Sequence, residues 1–191
     1  SGRLETITGL REDRPKCRFR VLDPELRAQL GGQGDISTPI DDLTYLSLDI
    51  RTVVIVENLQ TALACGDLPG TLVLFGAGFH APSLAIVPWL HHVRLLYWGD
   101  IDAAGFEILN AIRSVFPHAE SFGMDDTTLL SHRDLWVPDP KQRKAELTRL
   151  STNEIATYRL LFEAKEGIRL EQERLSWDVV WPLLRQRINS A

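Results

Sequence analysis

The sequence predicts an α/β fold: a mainly parallel sheet of about four strands flanked by helices, with an extra N-terminal segment. Three observations carry this. Short runs of continuous apolar and β-branched residues recur at 52–56, 71–75 and 93–97, and strands that are apolar on both faces belong to parallel sheets covered on both sides. Helical patterns alternate with those runs. Acidic residues follow the first and third runs, at the carboxyl edge where open α/β sheets bind ligands.

In chain order, residues 1–48 read as a polar, turn-rich connector, with a loop at Gly31-Gly32-Gln33-Gly34-Asp35. Inside it, Cys17-Arg18-Phe19-Arg20-Val21 alternates as a strand does and puts Arg18 and Arg20 on one face. That face is a solvated edge or, on the sharper reading, a phosphate-contacting patch. Residues 49–191 read as the principal domain. Its strand over 52–56 leads to a short helix over 59–65, then a strand over 71–75 and a Pro-interrupted helix over 81–91. The strand over 93–97 leads to an amphipathic helix over 103–115, and 118–124 suits a fourth strand. Residues 125–150 show no clear period. Ser151-Thr152-Asn153-Glu154 has the form of a capping box and opens a helix over 152–165. A last helix covers 177–188.

The 191 residues are 44% hydrophobic and 25% charged, an ordinary globular balance with room for one well-buried core. No apolar run approaches the roughly 20 residues that cross a bilayer, so neither a membrane partner nor a secretory route is expected, and the cytoplasm is the default. Ser1-Gly2 reads as an expression scar, and the chain as a piece of something longer. The 2 cysteines, Cys17 and Cys65, lie too far apart in sequence for a disulfide framework or a zinc site, and the 5 histidines show no ligand spacing. A net charge of −5 discourages a free-standing basic DNA-binding face. Any contact with nucleic acid is then local, metal-mediated or supplied by other domains.

The chemistry concentrates in Trp98-Gly99-Asp100-Ile101-Asp102-Ala103-Ala104-Gly105. Two carboxylates on one strand-to-helix turn repel each other unless a cation or proton neutralises them. Hard divalent cations, Mg²⁺ above all, favour such oxygen ligands. Asp102 also suits the cap of the helix behind it, a role that leaves Asp100 unexplained. Gly105 in the first helical turn costs about 1 kcal/mol against Ala and marks a close approach to the backbone. Glu57, at the end of the 52–56 run, lands on the same sheet edge and completes an acidic trio. Gly76-Ala77-Gly78-Phe79-His80-Ala81 fits a dinucleotide fingerprint, with Asp100 about twenty residues on. Pro82 and Pro88 shorten the helix that would follow it, and that reading leaves Glu57 and Asp102 idle. A phosphate-contacting loop at Gly76 and Gly78 remains. Charged runs at 169–174 and at Lys141-Gln142-Arg143-Lys144 read first as solvated faces, the second as a solvated helix face with DNA contact as its sharper alternative.

A strand-end glutamate followed by D-x-D-x-x-G at another strand end resembles the Toprim domain, a Rossmann-like fold shared by topoisomerases, primases and nucleases. Closer still, Val54-Ile55-Val56-Glu57-Asn58, Tyr97 through Leu109, Phe116-Pro117-His118-Ala119 and Arg169-Leu170-Glu171-Gln172-Glu173 resemble the carboxyl-terminal part of the JetD family. Those proteins are the nuclease subunits of Wadjet anti-plasmid systems and are similar to the A subunit of topoisomerase VI. Phe19-Arg20-Val21-Leu22-Asp23 extends the likeness upstream, so it takes in nearly all of the chain. Asn58 departs from the Gly common in Toprim domains, which alters a turn and removes no carboxylate.

The resemblance implies a Mg²⁺-dependent endonuclease, with Mn²⁺ as a substitute, that hydrolyses circular plasmid DNA beside a condensin-like SMC complex. Asp100 and Asp102 would hold the metal, Glu57 would be a further ligand or a general base, and Glu171 or Glu173 would serve a second ion. A homodimer follows by analogy with topoisomerase VI. Covalent chemistry needs a tyrosine, usually from a separate domain; the candidates are Tyr45, Tyr97 and Tyr158, and Tyr97 reads as buried in a strand, which favours hydrolysis. A non-catalytic Toprim module that docks DNA or an SMC partner is the alternative from a different class, and a dinucleotide-binding domain is the third.

Overall fold

A computed structural model describes residues 14–76, 78–163 and 166–190. The expectation at Ser1-Gly2 falls outside them, as do the middle of the glycine loop and the predicted end of the 152–165 helix. The architecture is mixed α/β. A 6-stranded sheet in the order β2-β1-β4-β3-β5-β6 is flanked by helices. Its strands are β1 (Lys16–Val21), β2 (Asp35–Pro39), β3 (Thr52–Val56), β4 (Thr71–Phe75), β5 (Arg94–Trp98) and β6 (Glu120–Ser121). The part from β4 to β6 is parallel throughout, with Val56 beside both Phe75 and Trp98.

The sheet has more strands than predicted. β1 pairs antiparallel with β4 and with β2, so the N-terminal segment continues the sheet. The physical reason lies in the Cys17-to-Val21 alternation: Cys17, Phe19 and Val21 are buried while Lys16, Arg18 and Arg20, which alternate with them, are not. β6 is shorter than the predicted 118–124 strand, because Pro117 and Gly123 bracket the segment and only Glu120 and Ser121 meet β5.

Period-two alternation gives the central strands two apolar faces. Val53, Ile55, Leu72, Leu74, Leu95 and Tyr97 face α3 (Ala103–Val115), which buries Phe106, Leu109 and Ile112 against them. Val54, Val56, Val73, Leu96 and Trp98 face α2 (Leu59–Ala64) and α6 (Trp177–Asn189), from which Ala62, Val180 and Leu184 are buried. Short helices α1 (Pro24–Gln29) and α4 (Asp126–Ser131) lie on connections. The predicted 81–91 helix is instead two 3₁₀ segments, Gly78–Ile86 and Pro88–His91, because Pro82 and Pro88 lack the N–H groups an α-helix needs. α5 (Thr152–Leu160) opens on the predicted capping box, with Ser151 and Glu154 satisfying each other's backbone N–H groups. Strands β7 (Val137–Pro138) and β8 (Ile168–Arg169) form a separate ribbon, and Leu170 continues it onto Ile101. No helix among the described residues is long and apolar enough to cross a membrane.

Candidate metal centre

β3 and β5 are adjacent and parallel, so their carboxyl ends deliver Glu57 and the Asp100 turn to one place. Glu57 Oε1 accepts from the Tyr97 hydroxyl at 2.6 Å and from the Asp100 N–H at 3.3 Å. Asp100 Oδ1 accepts from the Gln172 N–H at 2.7 Å. Asp102 Oδ1 accepts from the Gly105 N–H at 2.7 Å and so caps α3. A Cβ at Gly99 would run into the Tyr97 hydroxyl and Glu57 Oε1, and one at Gly105 into the Asp100 carbonyl. Two glycines therefore let the turn fold back on itself, and the close approach expected at Gly105 is that of the turn's own backbone.

Residues 168–174 lie across this edge. Ile101 and Leu170 exchange backbone hydrogen bonds of 2.9 and 3.1 Å. Gln172, 3% exposed, donates Nε2 to the Trp98 carbonyl at 2.5 Å. Its Oε1 is buried and has no hydrogen-bond partner among the described residues. Asn58 caps α2 and donates Nδ2 to Glu173 Oε1 at 2.5 Å. The two acids of this segment part company. Glu173 acts on Glu57 and Asp100, whereas Glu171 is held by Arg169 at 2.7 Å and Arg174 at 2.8 Å.

The electrostatics follow. Burial first, and then the charges of Glu57, Asp102 and Glu173, push Asp100 up to about 7 against the pull of the Gln172 N–H. Burial also raises Glu57, partly offset by the Tyr97 and Asp100 hydrogen bonds, with Asp102 and Glu173 adding to the rise. Asp102 is raised by burial and by Asp139, and opposed by the Gly105 N–H and Arg169. The Tyr97 hydroxyl is fully buried and held well above its ordinary value by burial and by Glu57, so it remains a proton donor. By contrast Glu171 stays low beside Arg174.

Among the described residues, no basic side chain hydrogen-bonds Glu57, Asp100 or Asp102. Nor do any three Asp, Glu, His or Cys side chains already stand as a metal-holding group. Each acid instead has a local hydrogen-bond partner. The chemistry of their donor set nevertheless suits a hard divalent cation: oxygen only, partly to fully buried, with no basic side chain hydrogen-bonded to it among the described residues, and with an orphaned buried amide oxygen on Gln172, whose backbone N–H meets Asp100.

The remaining candidates lie elsewhere. Arg18 is bound to Asp35 at 2.7 and 2.6 Å and lies over the Phe75 ring. Arg20 donates to the carbonyls of Ala62, Leu63 and Cys65 and closes the end of α2. Lys141, Arg143 and Lys144 are exposed. They lie in a loop and not on the expected helix, since Pro138 and Pro140 precede them and Gln142 is drawn inward to the Leu161 carbonyl. Gly76 is exposed with φ +70, and Gly78 begins a 3₁₀ segment, so no α-helix N-terminus stands behind the fingerprint to receive a pyrophosphate.

The model for the C-terminal part of Wadjet protein JetD matches residues 9–184. The chain belongs to that family. A comparison with curated proteins finds no match. The JetD match spans β1 through the strand-end acids to most of α6, so the N-terminal strands and the 168–174 segment belong to the family's unit as much as the acidic turn does. Sequence reasoning missed Tyr97, Gln172, Asn58, Asp139 and Arg169 as neighbours of the acids. Period two places Tyr97 on the opposite face from Trp98, and Asn58 follows Glu57 directly, so both left a usable signal; Arg169 and Gln172 arrive through the pairing of Ile101 with Leu170, and Asp139 beside the ribbon that leads into it, which no local pattern announces.

Proposed function

We propose that this chain is the Toprim-type nuclease domain of a Wadjet system, a Mg²⁺-dependent enzyme that hydrolyses phosphodiester bonds of plasmid DNA. The observation that carries the reading is the direct link between two strand ends: Glu57 accepts the Asp100 N–H, and neither acid has a basic partner among the described residues. Membership of the JetD family supports it. Glu57, Asp100 and Asp102 would hold Mg²⁺ or Mn²⁺, with Glu173 near enough to serve a second ion. Once bound, such a cation would polarise the scissile phosphate and stabilise the leaving oxygen.

The chain's own residues do the rest. Glu57, with its ionisation raised, is suited to accept a proton from attacking water. Tyr97 donates to Glu57 and fixes which oxygen is free. Because its hydroxyl is buried and committed, Tyr97 is no free nucleophile, which supports hydrolysis over covalent strand transfer. Glu171, spent on two arginines, has the weaker claim as a ligand. The condensin-like SMC partner and the homodimer are carried by family likeness alone. The docking-module reading draws on one observation, the capping role of Asp102.

The test is cleavage of supercoiled plasmid in Mg²⁺ or Mn²⁺, in the presence of the Wadjet partner proteins. Glu57→Gln, Asp100→Asn and Asp102→Asn should each cut activity by about 100-fold or more while leaving DNA binding intact. Full cleavage by Glu57→Gln would sink the proposal.

A further inference from the structure

We infer that Gln172 is a positioning residue for the cation site, holding Asp100 in the orientation that presents its free oxygen. This rests on the metal-centre reading above. The last paired residues of β3 and β5 are Val56 and Trp98, and the Gln172 amide takes the Trp98 carbonyl where that ladder stops. The side chain thereby anchors residues 168–174 to the end of β5. With the anchor set, the Gln172 backbone N–H meets Asp100 Oδ1 at 2.7 Å. Asp100 Oδ2 is left without a hydrogen bond among the described residues and free to serve as a ligand.

A glutamine is the side chain this place requires. It supplies a donor to a carbonyl without adding a fifth carboxylate beside Glu57, Asp100, Asp102 and Glu173. Its length spans from the segment to β5. Leu170, on Ile101, supplies the second attachment that keeps the segment's backbone in register with the acidic turn. Partners that orient a metal's ligands typically change affinity 10- to 100-fold when removed.

The measurement is Mn²⁺ affinity of the whole chain, read by electron paramagnetic resonance of the free ion. Gln172→Met removes the orphaned Oε1 but also leaves the buried Trp98 carbonyl without its donor, so a moderate loss of stability is expected. We expect a melting temperature lowered by several degrees in a chain that still folds, and Mn²⁺ binding weaker by about 10- to 100-fold when read well below that temperature. Gln172→Asn keeps an amide one methylene short of the Trp98 carbonyl, and it takes the place of the Met variant should that one not fold. Unchanged Mn²⁺ affinity in a folded variant overturns the inference and leaves the metal centre standing. Failure of the unaltered chain to bind Mn²⁺, or binding that survives Asp100→Asn, overturns the metal-centre reading and this inference with it.

Discussion

The carboxylate of Asp100 is half-buried among Glu57, Asp102 and Glu173, with a single backbone N–H to favour its charge. Its ionisation is pushed up to about 7, whereas an aspartate in the unfolded chain titrates near ~3.9. Between those values the folded chain binds more protons than the unfolded one, so this group's contribution to stability is present below about pH 4 and is lost as pH rises towards 7. Asp100→Asn removes that loss. In metal-free buffer the variant should gain on the unaltered chain as pH rises, by roughly 3–4 kcal/mol at pH 8 relative to pH 4. Chemical denaturation at several pH values reads it directly, and parallel stability curves for the two chains would contradict the electrostatic account. Excess Mg²⁺ should reverse the ranking at high pH, because it stabilises only a chain that binds it.

On the scale of elements, α3 and the turn before it were the most legible part of the sequence, and the reason is local. The apolar stripe, the Asp102 cap and the glycine all act within a few residues, and the helix bounds match the expectation, Ala103–Val115. Gly105→Ala tests that unit. An alanine would favour the helix by about 1 kcal/mol, but its Cβ would meet the Asp100 carbonyl. Overpacking against backbone typically costs about 1–3 kcal/mol, so the variant should be less stable in urea and lose activity as the turn shifts. A more stable variant would show that the contact yields. The 3₁₀ segments and the Lys141–Lys144 loop were less legible because prolines decide them, and proline disrupts a helical pattern without saying what replaces it. The role of Gln172 was illegible: it depends on a partner more than seventy residues away, Trp98.

Across the whole molecule, the composition shift near residue 49 marks a change of texture, yet the sheet runs through it. β1 covers the edge of β4 and buries Phe19 and Val21 in the core shared with α3. Arg20 also ties β1 to the end of α2. A chain starting at residue 49 would expose the unpaired edge of β4 and the apolar face beneath it, the situation that promotes aggregation. It should be insoluble or oligomeric by size-exclusion chromatography, whereas the unaltered chain should stay folded. A well-dispersed NMR spectrum from the shorter piece would make 49–191 a domain in its own right. Parallel order was legible from the apolar runs because burial on both faces leaves a compositional trace. The antiparallel extension left a weaker trace, since only one face of β1 is apolar.

The position of residues 168–174 also bears on the order of synthesis. The ribosome delivers Glu57, Asp100 and Asp102 well before Gln172 and Glu173, and domains begin to fold as they emerge. Until the late segment arrives, Asp100 lacks its N–H partner, Ile101 lacks its strand and Glu173 is missing from the edge. The acidic edge is therefore assembled only once residues 168–174 have been made, so a nascent chain that stops short of them carries Glu57, Asp100 and Asp102 without the partners that arrange them.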